Sequence, residues 1–269
     1  MKPDFRSVAI GDPASIRPAA ERLKSIAQEL AGLRVYTSID LARSEPMVDA
    51  NDKIIATDIF GWEKTLEKRW SKWTFGYDSA VYQVCRCENR PFWFNESLGI
   101  QGLVNRDHLR SIKFAGYEKE WEIKASIIIP VHLPFSQIGL ASFSCMDNCR
   151  DDLSEEYQQY SVILQQLSLT FVSDYYSLLH HPIACTGGVI LTAREVECLQ
   201  WIGRGKTDKQ TAAVMRCQVP TVRFHLHNAA SKLGVGNRTE AVARAAQLGF
   251  LPGVDTYKRG WFADAAACG

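Results

Sequence analysis

The sequence lacks the long apolar run that a membrane-spanning helix requires, since no stretch of about 18 apolar residues occurs. Its opening, MKPDFRSVAIGDPAS, also lacks the apolar core of a secretory signal peptide. The eight cysteines form no CxxC pair and have no histidine cluster beside them, so no zinc site is expected. We therefore expect a cytoplasmic protein with reduced thiols, no metal and no bound cofactor.

The sequence also lacks the signature of a hydrolase. Asp78, His132 and Ser142 are the residue types of a catalytic triad, but no G-x-S-x-G motif places a nucleophile on a strained turn. No internal repeat and no low-complexity segment occurs. These absences argue against an enzyme and against a repeat protein.

What the chain does contain is an uneven distribution of charge. Its 269 residues favour two domains, and its 46% hydrophobic and 23% charged residues are ordinary for a globular protein. The net charge of +1 is the sum of a basic and an acidic part. Residues 188–251 hold nine basic and four acidic residues and carry +5. Residues 1–187 carry −4. A basic module on an acidic body is typical of a nucleic-acid binder.

The first 180 residues alternate between helical and strand patterns. Helical spacing occurs at 15–33, 61–72, 106–121 and 153–179, and strand patterns occur at 34–41, 54–59, 125–131 and 138–144. The last two strands are separated by a short loop and predict a β-hairpin. We expect an α/β or α+β body in which several helices surround a sheet.

Residues 191–249 read as four helices with short polar breaks. Thr192 and Glu195 form a capping box at the first helix, and Thr207 caps the second. Pro220 suits the first turn of the third helix, where its missing N–H has no partner in any case. Two helices joined by a tight turn, the second of them basic and amphipathic, predict a helix-turn-helix.

The third of these helices contains the stretch TVRFHLHNAASKL. Its apolar residues repeat at i, i+4, i+7 and i+11 and form one buried stripe: Val222, Leu226, Ala229 and Leu233. Arg223, Phe224 and His227 project from another face. Arginine and histidine donate hydrogen bonds to base edges or phosphates, and phenylalanine offers an apolar edge to a thymine methyl group.

Linker chemistry separates the two parts of the chain. The segment HHPIACTGGV at 180–189 contains Pro182 and two glycines. We therefore divide the chain into an N-terminal ligand and dimerisation domain, a linker, a DNA-binding domain and a tail. Their predicted bounds are 1–179, 180–190, 191–251 and 252–269.

The runs LTAREVECLQWIGRGKT and TVRFHLHNAASKLGVGNRTEAVARAAQLGFL resemble the DNA-binding domain of LuxR-type transcription regulators. The resemblance implies that Lys206 and Thr221 hold phosphates and that Arg223, Phe224 and His227 face bases. Thr207 and Arg238 complete the candidate DNA-binding set. Three residues depart from the family pattern: Gln210 and Thr211 replace the usual Glu and Ile, and Gln218 replaces the usual Ser cap.

In regulators, a DNA-binding domain of this type follows one of several kinds of N-terminal sensing domain. A phosphoreceiver is disfavoured, because the first 120 residues lack an acidic pair after a first strand and a lone Asp after a third. The runs IIIPVHLPFSQIGLASFS, GWEKTLEKRWSKW, YDSAV and PFW instead resemble the autoinducer-binding domain of quorum-sensing regulators.

This second resemblance implies a ligand site. It makes Asp78 the acceptor for a ligand amide, Trp93 a pocket wall and Ser142 a donor to an acyl carbonyl. Leu66 stands near the position of the tryptophan that holds a lactone carbonyl, and Trp70 near that of a pocket tyrosine. A buried lactone carbonyl without that indole donor costs on the order of 1–3 kcal/mol.

The two resemblances together imply a fold and a function. We expect an α+β protein whose N-terminal α-β-α sandwich precedes an all-α, four-helix helix-turn-helix domain. We expect a quorum-sensing transcription regulator that binds an acyl-homoserine lactone or a related amphiphile and reads roughly two-fold symmetric double-stranded DNA as a homodimer. The alternatives are a solo regulator that answers a non-lactone or host-derived molecule and a DNA-binding dimer that needs no ligand.

Overall fold

The structure is a computed structural model, and it describes residues 4–42, 45–64, 79–95, 99–103, 123–145, 150–179 and 190–251. The chain divides into two compact units, Met1–His181 and Pro182–Gly269. Each unit encloses its own cluster of buried apolar side chains.

The first unit is built on a five-stranded antiparallel sheet with the strand order β1-β5-β4-β2-β3. In chain order, the described elements are α1 Ile16–Ala31, β1 Leu33–Ser38, α2 Ile55–Asp58, α3 Ala80–Cys87, β2 Phe92–Asn95, β3 Gly99–Gln101, β4 Ala125–His132, β5 Ile138–Cys145 and α4 Ser154–Leu179. The hairpin predicted from the sequence is confirmed as β4 and β5, and the long helix predicted at 153–179 is confirmed as α4.

Helices cover both faces of this sheet. On one face α1 and α4 pack against each other and against the strands. Gly139 of β5 lies on this face, because a Cβ there would point towards Val172 Cγ1 of α4 at 3.2 Å. On the other face, His132 of β4 places its Nε2 atom 2.9 Å from the backbone oxygen of Cys85 in α3. The unit is therefore an α-β-α sandwich, and the predicted α+β class is confirmed.

The strand predicted at 54–59 is wrong. Ile54 forms only an isolated bridge with Val48, and the next residues form the short helix α2. The amide of Asp58 donates to the Ile54 oxygen at 2.8 Å, and the turn buries Ile55 in the core. A short apolar run does not distinguish a strand from a buried helical turn, so tertiary packing decided this segment.

Other predicted segments lie outside the described residues. These are 65–72 of one predicted helix, all of 106–121 and the linker at 180–189. A serine at a helix start commonly caps it, but Ser15 makes no capping hydrogen bond to α1. Its hydroxyl accepts instead from the amides of Gly11 and Asp12 at 3.1 Å.

The second unit consists of four helices around a small apolar core. They are α5 Ala193–Gly203, α6 Asp208–Val214, α7 Val219–Leu233 and α8 Arg238–Gln247. Thr192 and Glu195 form the predicted capping box of α5, and Gly234 ends α7 in the left-handed conformation at φ 68°. Among the residues that the structure describes in either unit, no helix is long and apolar enough to cross a membrane.

Candidate functional site

The helices α6 and α7 are joined by a tight turn. Arg216 adopts a left-handed conformation at φ 52°, and the Cys217 amide donates to the Ala212 oxygen at 3.0 Å. Pro220 occupies the first turn of α7, as its fixed φ and missing N–H favour. These contacts join α6 and α7 through a short turn, as in a helix-turn-helix.

Helix α7 separates its apolar and polar residues as the sequence predicts. Its buried residues are Val222, Leu226, Ala229 and Leu233, which is the predicted stripe. Arg223, Phe224 and His227 are exposed, and Phe224 leaves 60% of its surface open to solvent. An exposed aromatic ring on the same helix as a guanidinium and an imidazole offers base edges both apolar contact and hydrogen-bond donors.

Further candidate residues lie in the turn before α6 and at the start of α7. Lys206 and Thr207 are exposed. The Thr207 hydroxyl accepts from the Gln210 amide at 3.3 Å, and the Gln210 side chain accepts from the Thr207 amide at 3.0 Å. Gln210 therefore completes a capping box although the family pattern has Glu there. Thr221 is exposed in the first turn of α7.

Sequence reasoning missed an acidic residue between the candidate arginines. Asp208, the first residue of α6, accepts from Arg223 Nε at 3.1 Å through Oδ2 and from Arg238 Nη1 at 3.2 Å through Oδ1. The structure thus brings Arg223 of α7 and Arg238 of α8 to one carboxylate. The only indication of this contact in the sequence was the presence of an acidic residue within a strongly basic domain.

An ion pair between a buried glutamate and a partly exposed lysine fixes α7 against α5. Lys232 Nζ donates to Glu195 Oε2 at 2.8 Å, and the same oxygen accepts from the Thr192 amide at 2.7 Å. Burial favours the protonated form of Glu195, but the hydrogen bonds from Lys232 and Thr192 outweigh it and lower the pKa of this carboxyl group. The carboxylate is therefore charged at neutral pH, and it holds the far end of α7 in place.

Two departures from the LuxR-type pattern have visible consequences. Gln218 is the N-cap residue of α7 but makes no side-chain capping hydrogen bond. Thr211 is fully buried, and its hydroxyl oxygen Oγ1 has no hydrogen-bond partner. Both features lower stability, because a capped helix start and a satisfied hydroxyl are each more favourable.

In the first unit, Ser142 belongs to a buried cluster of hydroxyl groups. Its Oγ atom lies 2.8 Å from Ser126 Oγ and 3.3 Å from Ser144 Oγ. Ser126 also donates to the Phe143 backbone oxygen at 3.2 Å. Ser142 therefore has partners within the sheet, and it lies on the face covered by α3.

Trp93 does not lie on that face. It pairs with Ile127, which pairs with Phe143, whereas Ser142 pairs with Ile128 on the neighbouring ladder position. Because side chains alternate along a strand, Trp93 points to the face of α1 and α4. The register therefore separates Trp93 from Ser142, and the ligand-contact role of each stays a prediction. Phe92 and Phe94 are the aromatic residues of β2 that share the face of Ser142.

The other predicted ligand residues, Leu66, Trp70 and Asp78, lie outside the described residues. Their neighbour Ser79 is described, and its hydroxyl caps α3 by accepting from the Tyr82 amide. Tyr36 of β1 lies on the same face of the sheet as Ser142. Desolvation raises the pKa of Tyr36 to about 12, against hydrogen bonds with the side chains of Tyr82 and Ser38.

Comparison with known proteins identifies relatives of both units. Residues 189–245 match the family model described as bacterial regulatory proteins, luxR family. The transcriptional activator protein VanR of Vibrio anguillarum is 31% identical over 129 residues, which cover 48% of this chain and 52% of VanR. The match thus spans about half the length of that relative. The transcriptional activator protein EchR of Dickeya chrysanthemi is 25% identical over 201 residues, covering 70% of this chain and 78% of EchR.

Solved structures of SdiA share the fold. Escherichia coli SdiA superposes with a TM-score of 0.50 at 19% identity, covering 91% of this chain and 94% of SdiA. SdiA in complex with octanoyl-rac-glycerol gives the same TM-score at 18% identity, covering 93% of this chain and 94% of SdiA. At this level of identity the likeness concerns the fold alone.

Proposed function

We propose that this chain, in which residues 189–245 are a LuxR-type helix-turn-helix domain, is a DNA-binding transcription regulator that answers a small amphiphile. The observation that carries the proposal is the division of α7 into a fully buried stripe and an exposed face. That face holds Arg223, Phe224 and His227, and it lies on the unit that carries the positive charge.

In the proposed complex, α7 enters the major groove. Arg223 and His227 donate to base edges, and Phe224 contacts a thymine methyl group. The remaining candidates bind the backbone phosphates, and these are Lys206, Thr207, Thr221 and Arg238. Phosphate contacts supply salt-sensitive affinity, whereas base contacts supply sequence preference.

We propose that the protein acts as a homodimer on a roughly two-fold symmetric site. Helix α4 exposes two apolar residues seven positions apart, Val162 at 76% and Leu169 at 43%. A spacing of seven places them on one side of the helix, where a second copy of α4 can cover them. Two helix-turn-helix units related by a two-fold axis match half-sites about one helical turn of DNA apart.

The proposed ligand is an acyl-homoserine lactone or a related amphiphile that lies between the sheet and α3. The sandwich fold and the similarity to SdiA, which is known in complex with octanoyl-rac-glycerol, support this class. Asp78, Leu66 and Trp70 remain proposed ligand contacts, with Asp78 as the acceptor for an amide. A host-derived molecule in the same place and a dimer that needs no ligand are the two alternatives.

We propose that the protein is cytoplasmic, where chromosomal DNA is accessible. We also propose that it catalyses no reaction. His132 and Ser142, two members of the only triad that the sequence suggests, have separate partners. The His132 ring lies against the backbone oxygens of Cys85 and Glu88, and Ser142 bonds to other serines.

The DNA-binding part is tested by selection from a library of random duplexes with the purified full-length chain. Enrichment of a roughly palindromic sequence supports the proposal, and a pool that never enriches contradicts it. The ligand part is tested by mass spectrometry of protein purified from its native host and from a heterologous culture. If no small molecule co-purifies with the protein or stabilises it, the ligand-independent dimer is favoured.

A further inference from the structure

Asp208 differs in its partners from the other described acidic residues of the second unit. Glu195 is buried and pairs with Lys232 between α5 and α7, Glu197 pairs with Arg194 on α5, and Glu240 accepts from the Gly236 amide at the start of α8. Asp208 instead pairs with two arginines of the proposed DNA-binding face. Its side chain is 18% exposed, whereas those of Arg223 and Arg238 are 71% and 51% exposed.

The contact to Arg223 leaves the outer edge of its guanidinium free. Arg223 donates to Asp208 through Nε at 3.1 Å. A guanidinium has five N–H donors in a rigid plane, so a bond at Nε restrains that plane and leaves the donors of Nη1 and Nη2 for another partner. That edge matches the O6 and N7 acceptors that guanine presents in the major groove.

We propose that Asp208 is a positioning residue that aims Arg223 at a guanine and restrains both arginines from binding phosphates indiscriminately. This inference rests on the proposed DNA-binding function. The carboxylate acts in two ways: it fixes the direction of the Arg223 side chain, and it keeps a negative charge beside the DNA backbone. Both effects raise the ratio of sequence-specific to sequence-independent binding.

Stability alone does not account for this arrangement. Exposed ion pairs contribute little to folding, because solvent screens them and two long side chains lose freedom. A carboxylate in the first turn of α6 is favoured by the helix dipole, but that interaction does not require either arginine. The placement of one oxygen against each arginine is therefore better explained by orientation than by stabilisation.

The experiment starts with a duplex selected by the full-length wild-type chain from a random library. Fluorescence anisotropy then gives the Kd for that duplex, for a scrambled duplex and for versions with 7-deazaguanine at each guanine in turn. This analogue removes only the N7 acceptor. For the wild type, we expect one guanine in each half-site at which the replacement weakens binding about tenfold.

Asp208→Asn removes the charge and one acceptor oxygen but keeps the size of the side chain. We expect the 7-deazaguanine effect to fall below about threefold, because Arg223 is no longer aimed at the base. Affinity for the scrambled duplex should rise several-fold, and the slope of log K against log salt should steepen by about 1. Asp208→Glu should restore much of the guanine discrimination, and Glu197→Gln controls for the lost charge.

Three results overturn the inference. It fails if Asp208→Asn retains the guanine discrimination and the wild-type affinity for the scrambled duplex. It fails if no guanine in the selected site is sensitive to 7-deazaguanine in the wild type, a result that needs no variant to fold and leaves the proposed DNA binding intact. If no duplex is enriched at all, the proposed function and the inference fall together.

Discussion

Lys232 Nζ lies 2.8 Å from Glu195 Oε2 and joins the last turn of α7 to the first turn of α5. The side chain of Glu195 is 4% exposed, so its charge depends on this partner and on the Thr192 amide. The helix that carries the proposed base-reading face is therefore positioned by a titratable contact at its far end.

This contact makes the stability of the second unit depend on pH. The pKa of Glu195 is lowered below its ordinary value of 4.5, so the unfolded chain binds a proton more readily than the folded chain. The stabilisation is fully present above that ordinary value and is lost as the pH falls through the lowered pKa. We expect the protection factors of amides in α5 and α7, which are corrected for the intrinsic exchange rate at each pH and measured by mass spectrometry, to fall as the pH drops below 4.5.

Glu195→Gln is the matched control for this pH dependence. It keeps the shape of the side chain and removes the titration, so its protection factors should fall less with acid than those of the wild type. An equal fall in both proteins would assign the effect to other carboxyl groups.

Thr211→Val should stabilise the second unit. The substitution replaces a buried hydroxyl that has no partner by a methyl group of nearly the same size. Removing an unsatisfied polar group gains about 1–3 kcal/mol, and threonine and valine are both β-branched, so the helix preference changes little. Chemical denaturation monitored by circular dichroism checks this. Thr239→Val, at an exposed position of α8, is the control. A destabilised Thr211→Val protein would show that the hydroxyl has a partner after all.

Gln218→Ser should also stabilise the second unit, through the start of α7. Gln218 makes no capping hydrogen bond, whereas a serine hydroxyl at the N-cap accepts from an amide of the first turn. We expect a gain of about 1 kcal/mol in the free energy of unfolding. Gln218→Ala, which cannot cap, is the comparison. Equal stability of the two variants would contradict the account.

The sequence was most informative where a pattern is local and repeated. The buried stripe of α7, the capping box of Thr192 and Glu195, and the β4–β5 hairpin all follow from spacing within one or two elements. Such patterns are read directly, because helix and strand periods fix which residues share a face.

The sequence was less informative where the outcome depends on distant parts of the chain. Whether Trp93 faces the ligand side depends on strand register, and a shift of one residue reverses it. The hydrogen bond between Arg238 and Asp208 joins residues thirty positions apart, so no local sequence pattern predicts it. Ile55 became helical because burial in the core outweighed the strand preference of its β-branched neighbours.

The register of β2 leads to a prediction about the ligand. Phe94, and not Trp93, shares the sheet face of Ser142, so Phe94 should contact a ligand bound beneath α3. We expect octanoyl-rac-glycerol or N-octanoyl homoserine lactone to raise the Tm of the wild type. Phe94→Leu should reduce that ligand-induced shift by at least half, whereas Trp93→Phe should preserve it.

Both variants change the stability of the unliganded protein, so the shift on adding ligand is the quantity to compare. A shift that is lost in Trp93→Phe and kept in Phe94→Leu would place the ligand on the face of α1 and α4. No shift in the wild type with either compound would remove both from consideration as ligands.

The most direct test of the central claim, that the exposed face of α7 reads DNA, is the affinity of Arg223→Ala for the duplex selected by the wild type. We expect a loss of roughly 1–3 kcal/mol on that duplex and a much smaller loss on a scrambled one. Arg194→Ala, on α5 outside the helix-turn-helix pair, should bind both duplexes as the wild type does. Unchanged binding of Arg223→Ala to the selected duplex would contradict the proposed docking of α7.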